Sequence, residues 1–344
     1  MRVGMMLGYA GGFSQAVDEL ADFERAGLEI VFVPEAYSFD AVSQLGFIAA
    51  RTTRLEIASG ILPIYSRTPA LTAMTAAGLD FVSGGRFTLG LGTSGPQVIE
   101  GWHGVAYDAP VGRTRELIEI CRLVWRRERL DYKGRHYRLP LEGGTGLGKP
   151  LKLINHPVRE RIPIVVAALG PKNVALAAEL AEGWQPIFYF PEKSAIAWAA
   201  PLNEGLARRD ATLGPLDVIA AAPLAIGEDV TSLRELSRPY FALYIGGMGA
   251  RGKNFYYDLA CRFGYENEAE RIQDAYLAGR KDEATALVPA ELVEKTSLIG
   301  PDGYVAERLA AFRESGVTTL NVTPLAPSHA ARVADIERVR ALAG

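Results

Sequence analysis

Eight times along this chain a short apolar run is followed by an amphipathic, helix-like stretch, and few folds accommodate that alternation. Strands are expected at residues 2–7, 28–33, 55–62, 86–92, 162–168, 184–189, 218–226 and 318–322. The first helix is expected to start at Ser14 as N-cap, with Val17, Leu20 and Ala21 at helical spacing. Others are expected at 40–50, 69–82, 173–182, 192–208, 302–315 and 330–342. Continuous apolar runs such as Ile30 to Val33 suit strands covered on both faces, as in a parallel sheet. Eight units favour an α/β fold of the closed (β/α)8 TIM-barrel kind over an open doubly wound sheet. The glycines after the first strand, Gly8, Gly11 and Gly12, lack the spacing of a dinucleotide fingerprint.

The alternation breaks twice, so one domain over residues 1–344 is expected to carry insertions after strand four (about 93–161) and strand seven (about 227–296). The first holds a hairpin-like stretch at 132–139 and a glycine-rich turn at 143–148. A charged fraction of 22% and a net charge of -3, with no long run of one sign, give no footing for nucleic acid or an anionic membrane. No segment reaches the roughly 18 apolar residues that span a bilayer, and residues 1–7 lack the features of a signal peptide. A cytoplasmic location is therefore expected. Cys121 and Cys261, both in helical stretches, read as buried thiols rather than a disulfide framework.

In such a barrel the chemistry sits at the C-terminal ends of the strands. Strand two leads into Glu35, Ala36, Tyr37 and Asp40; strand three ends in Ser59, Gly60 and Ile61. A glycine inside an apolar strand marks a bulge or a close backbone approach. Strand four ends in Gly90-Leu91-Gly92-Thr93-Ser94-Gly95, which admits a flat ligand or simply makes a tight turn. Strand five ends in Gly170-Pro171-Lys172-Asn173, where a helix start would offer free N–H groups to a phosphate, or be an ordinary start with Asn173 near its cap. The histidines His103, His136, His156 and His329 are not at metal-ligand spacing, and no metal site is expected. No Gly-x-Ser-x-Gly elbow precedes a helix. An organic cofactor is the remaining source of reactivity.

Arg67-Thr68-Pro69-Ala70, then Leu79-Asp80, Ser83-Gly84-Gly85-Arg86 and Leu89-Gly90-Leu91-Gly92, resemble the third helix and fourth strand of the luciferase-like monooxygenase family. Ile162-Pro163-Ile164 with Gly170-Pro171-Lys172-Asn173 and Glu182-Gly183-Trp184 resembles its fifth and sixth units, and Leu298-Ile299-Gly300-Pro301 its lead into a late helix. The stretch from Ser94 to Trp102 resembles a mycobacterial-type branch that uses coenzyme F420. The resemblance implies a homodimer or higher homo-oligomer. It implies a bulge with a non-prolyl cis peptide at Ser59, Gly60 and Ile61 under the deazaflavin, and Gly92, Thr93 and Ser94 beside it. It also implies the cofactor's phosphate at Gly170, Pro171, Lys172 and Asn173.

Three functions follow for weighing: an F420-dependent oxidoreductase acting on a small organic substrate, an FMN-dependent monooxygenase, and a non-catalytic flavin-binding protein. For an acid/base residue the candidates are Glu35, then Asp40, then Glu100 and His103. Asp40 could instead cap a helix, and His103 could face solvent. Trp102, Tyr107, Phe241, Tyr244, Met248, Phe255 and Tyr256 could line an apolar substrate cavity or pack the insertions onto the barrel.

Overall fold

Eight parallel strands close on themselves in a computed structural model that describes residues 1–8 and 12–344; Gly11 lies outside the described residues. The strands are β1 (Arg2–Met6), β2 (Ile30–Val33), β3 (Glu56–Ser59), β4 (Phe87–Gly92), β5 (Ile164–Ala167), β6 (Gly183–Gln185), β7 (Asp217–Ile226) and β8 (Thr319–Pro324). Each pairs with the next, and β8 pairs with β1. Followed once around the barrel, these registers return to β1 eight residues from the starting point, the shear of a TIM barrel.

The outer ring is α1 (Phe13–Arg25), α2 (Ala41–Arg51), α3 (Pro69–Val82), α4 (Pro110–Trp125), α5 (Pro171–Leu180), α6 (Pro191–Leu206), α7 (Asp302–Glu314) and α8 (His329–Ala343). Three of these starts carry side-chain caps: Asp40 for α2, Thr68 for α3 and Ser328 for α8. The first helix is capped by Gly12 rather than Ser14. Proline opens α3, α4, α5 and α6, where its missing N–H costs nothing. That is why α5 starts two residues before the expected Asn173. Between β4 and α4 lies a short helix, Pro96–Gly101, and after α4 the antiparallel hairpin Tyr132–Lys133 with Arg138–Leu139. Between β7 and α7 a 3-10 helix, Thr231–Ser237, and five α-helices intervene, and Leu298–Gly300 then pairs with the end of β7 as an extra rim strand. Among the described residues no helix is long and apolar enough to cross a membrane.

The axis is filled by Ile30, Phe32, Ala58, Val165 and Ile219, with Met6 packed against them. The far larger apolar cluster lies between strands and helices. At the N-terminal end of the barrel, Arg2 joins Glu29 (3.3 Å) and Glu56 (2.7 Å). Arg86, from the most recognisable motif, lies on the same side. It donates to the carbonyls of Ala49, Thr52, Leu55 and Ser83 and to the Thr52 hydroxyl, tying the end of α2 and the entry of β3 to β4. Arg86→Met is expected to lower stability by at least about 3 kcal/mol, because several buried acceptors lose a charged donor together. A thermal melt equal to the parent's would show the staple to be idle.

Candidate functional site

At the C-terminal end of β3 the chain leaves regular pairing. Ala58 is opposite Thr88 and Leu62 opposite Leu91, so three residues of one strand, Ser59 to Ile61, face two of the other. The Gly60–Ile61 peptide is cis. Ser59 replaces the lost ladder: its hydroxyl donates to the Gly90 carbonyl at 2.9 Å and accepts the Gly90 N–H at 2.8 Å. This accounts for two of the strand-four glycines. A Cβ on Gly90 would lie 1.8 Å from the Ser59 carbonyl oxygen, and one on Gly92 would meet the Ile61 side chain at 2.8 Å. Both make room for the bulge. Ser94 follows with φ of 55°, in the left-handed region that non-glycine residues rarely occupy.

The two carboxylates after β2 are committed. Glu35 accepts both terminal nitrogens of Arg67, at 2.6 and 2.9 Å, and the Ala41 N–H at 2.9 Å. Its side chain is 8% exposed and that of Arg67 12%. Asp40 takes a further Arg67 contact at 2.7 Å, and caps α2 by accepting the N–H and hydroxyl of Ser43. Partial burial pushes the Asp40 carboxyl up, but Ser43 and Arg67 together outweigh it and hold it below the usual carboxylate range. Glu35 and Asp40 therefore stand as the anions of one ion-pair cluster that joins the β2 and β3 loops.

The strand-four candidates differ. Glu100 is exposed and accepts the Tyr107 N–H at 3.1 Å. His103 is half-buried, and its Nε2 is shut off from water with no hydrogen-bond partner among the described residues. Beside it Tyr107 packs at 5.3 Å on Tyr65, whose hydroxyl donates to the Asp108 carbonyl. Burial pushes both tyrosine hydroxyls up, so they stay protonated. Thr93 and Ser94 adjoin this corner, the Tyr107 hydroxyl lying 3.5 Å from the Ser94 carbonyl.

Across the mouth, Gly170 is the N-cap of α5 and no side chain caps that helix start. A Cβ added to Gly170 would meet no atom within 4 Å, at an ordinary φ of -72°. Pro171 and Lys172 are exposed, and the Asn173 Oδ1 is buried with no partner among the described residues. Next to it, after β6, Phe188 takes φ of 56°. Its ring stacks on Phe241 at 4.3 Å and meets Tyr240, Tyr244 and Tyr256. Of the aromatics proposed for a cavity wall, Phe241, Tyr244 and Tyr256 thus join the second insertion to the rim, while Trp102 is 67% exposed beside Tyr37. Phe255 is also exposed and Met248 half-buried. Sequence reasoning missed Arg67, Gln185 and Asn321; the last two carry buried, unpartnered amide atoms on inward-facing strand positions.

Comparison with known proteins adds the following. The profile described as luciferase-like monooxygenase matches residues 1–319. A Mycobacterium tuberculosis protein provisionally named a coenzyme F420-dependent oxidoreductase, Rv3520c, is 43% identical over 94% of this chain and 95% of its own length. The 5,10-methylenetetrahydromethanopterin reductase of Archaeoglobus fulgidus is 27% identical over 88% of both chains. Among solved structures, the coenzyme F420-dependent tetrahydromethanopterin reductase of Methanopyrus kandleri superposes with a TM-score of 0.78 at 22% identity, over 98% of this chain and 96% of that one, a likeness of fold.

The charge cluster makes a pH-dependent prediction. Asparagine caps a helix as well as aspartate does, so Asp40→Asn removes mainly the charge facing Arg67. A carboxyl held below its ordinary value stabilises the fold above about pH 3.9 and loses that contribution as pH falls through its folded value. Asp40→Asn is expected to melt below the parent at pH 7, with the gap closing in acid below about pH 3.9. A gap that persisted in acid would assign the loss to something other than the charge.

Proposed function

The chain belongs to the luciferase-like monooxygenase family, and from that premise we propose that it is a coenzyme F420-dependent oxidoreductase that transfers a hydride to or from a small organic substrate. The relative at 43% identity supports this reading. The structural observation that carries it is the α5 start: an uncapped helix N-terminus, an open Gly170 and a buried, unpartnered Asn173 amide. Amide oxygen and nitrogen are assigned from their partners; turned over, Asn173 presents its NH2 to an anion. These residues fit a phosphate. Gly170, Pro171, Lys172 and Asn173 would hold the cofactor's phosphate side, and Ser59, Gly60 and Ile61, with Gly92, Thr93 and Ser94, its ring. The bound deazaflavin supplies the hydride-transferring carbon. With purified protein, F420 is expected to bind clearly more tightly than FMN. Gly170→Val, whose side chain meets open space in the protein itself, should weaken F420 binding while leaving the melting temperature near the parent's. FMN binding as strong as F420 would favour the oxygen-activating alternative, and a Gly170→Val affinity equal to the parent's would move the phosphate elsewhere.

Hydride transfer to a carbonyl leaves an oxyanion, and transfer from an alcohol leaves a proton to be taken. Glu35 and Asp40 are engaged by Arg67, so they position loops. We assign the proton to His103, whose Nε2 is buried and unpartnered beside the β4 loop. His103→Phe should slow single-turnover hydride transfer by about 10²–10⁴-fold with F420 affinity intact, whereas Glu35→Gln should act chiefly on stability. Parent-like transfer in His103→Phe would remove it from the chemistry.

A further inference from the structure

The barrel interior holds a second polar feature, deeper than the mouth. Asn321 alternates with Leu320 and Val322, which belong to the outer apolar cluster, so it faces the axis; it is 1% exposed, and among the described residues neither its Oδ1 nor its Nδ2 has a partner. Gln185 follows Trp184, which packs outward against Trp198, and its buried Oε1 is also unpartnered. The strand registers put Gln185 and Asn321 in one layer of the barrel with Phe32 and Gly90. The layer above, toward the mouth, is Met6, Gly60, Ala167 and Ala221, three of them small. The layer below, Gly4, Ala58, Val165 and Ile219, is apolar and closes the shaft. Buried polar groups are normally satisfied. Here two open valences share one layer, below the level of the Gly60–Ile61 bulge, where Met6 and Phe32 pack against the glycine.

We propose that Gln185 and Asn321 are positioning residues that read the hydrogen-bonding edge of the bound heterocycle. Neither layer carries a charge, so the partner is neutral and not a carboxylate or phosphate. A carboxamide both accepts and donates, and its complement is a ring N–H flanked by carbonyls, the edge at which a deazaflavin's pyrimidinedione ends. The inference rests on the deazaflavin reading of the site. It is tested by fluorescence titration of the full-length protein with F420, with 5-deazariboflavin and with N3-methyl-5-deazariboflavin. The parent should bind the methylated ring at least about tenfold more weakly than the unmethylated one, a factor of about 1.4 kcal/mol. Asn321→Leu should lose about tenfold in F420 affinity and no longer distinguish the two rings; Gln185→Met, which repacks with little change of volume, should weaken F420 in the same direction. A parent indifferent to methylation, or variants binding F420 as the parent does, overturns this inference and leaves the cofactor reading standing. A parent that binds none of the three overturns both.

Discussion

Closure of the sheet with a shift of eight residues is the constraint from which the rest of the molecule follows. It decides, strand by strand, which side chain faces the axis and which faces a helix. The outward positions of β2, β5 and β8 are aliphatic because helices cover them. On β3, β5 and β7 the inward ones shrink toward the mouth, from Ala58, Val165 and Ile219 to Gly60, Ala167 and Ala221. The bulge at Ser59 to Ile61 sits at the level of these small side chains.

The mouth is then held by charge rather than by apolar packing. Arg67 gathers Glu35 and Asp40 at the junction of two loops, with little of its own side chain or that of Glu35 reaching water. A bidentate guanidinium–carboxylate pair fixes direction as well as distance. Removing one member would leave a largely desolvated charge, which costs more than the pair itself contributes. That commitment occupies both oxygens of Glu35, the carboxylate directly after a strand that the sequence offers first as an acid/base candidate.

Legibility followed the range of the interaction. The helix at 69–82 reads from its own residues, because Thr68 caps it, Pro69 opens it and Gly84 follows it; the structure gives the same bounds. The barrel reads from periodicity, and the bulge from one glycine in an apolar strand. Asp40 as a cap was readable, since its partner Ser43 is three residues away. Its second partner was not: Arg67 lies 27 residues on and meets it only after β3 is laid beside β2. Strand six was expected to run to Tyr189 but pairs only to Gln185, because Phe188 turns left-handed to enter an aromatic cluster supplied by a distant insertion. Gln185 and Asn321 looked like ordinary strand residues until closure showed which way they point.

The family motifs serve the frame of the barrel. Arg86 ties strands together at the closed end, Asp80 is fully buried and paired with Arg159, and Gly90 and Gly92 make room for the bulge. The second insertion, for which the sequence suggests an apolar cavity wall or a packing role, is seated on the rim through Phe188. Holding Phe188 in the left-handed region costs about 1–2 kcal/mol. Four aromatic neighbours offset this, at about 0.5–1.5 kcal/mol for each well-placed ring pair. The insertion is thereby fixed to the end of β6, two strands from β8 and adjacent to the α5 start.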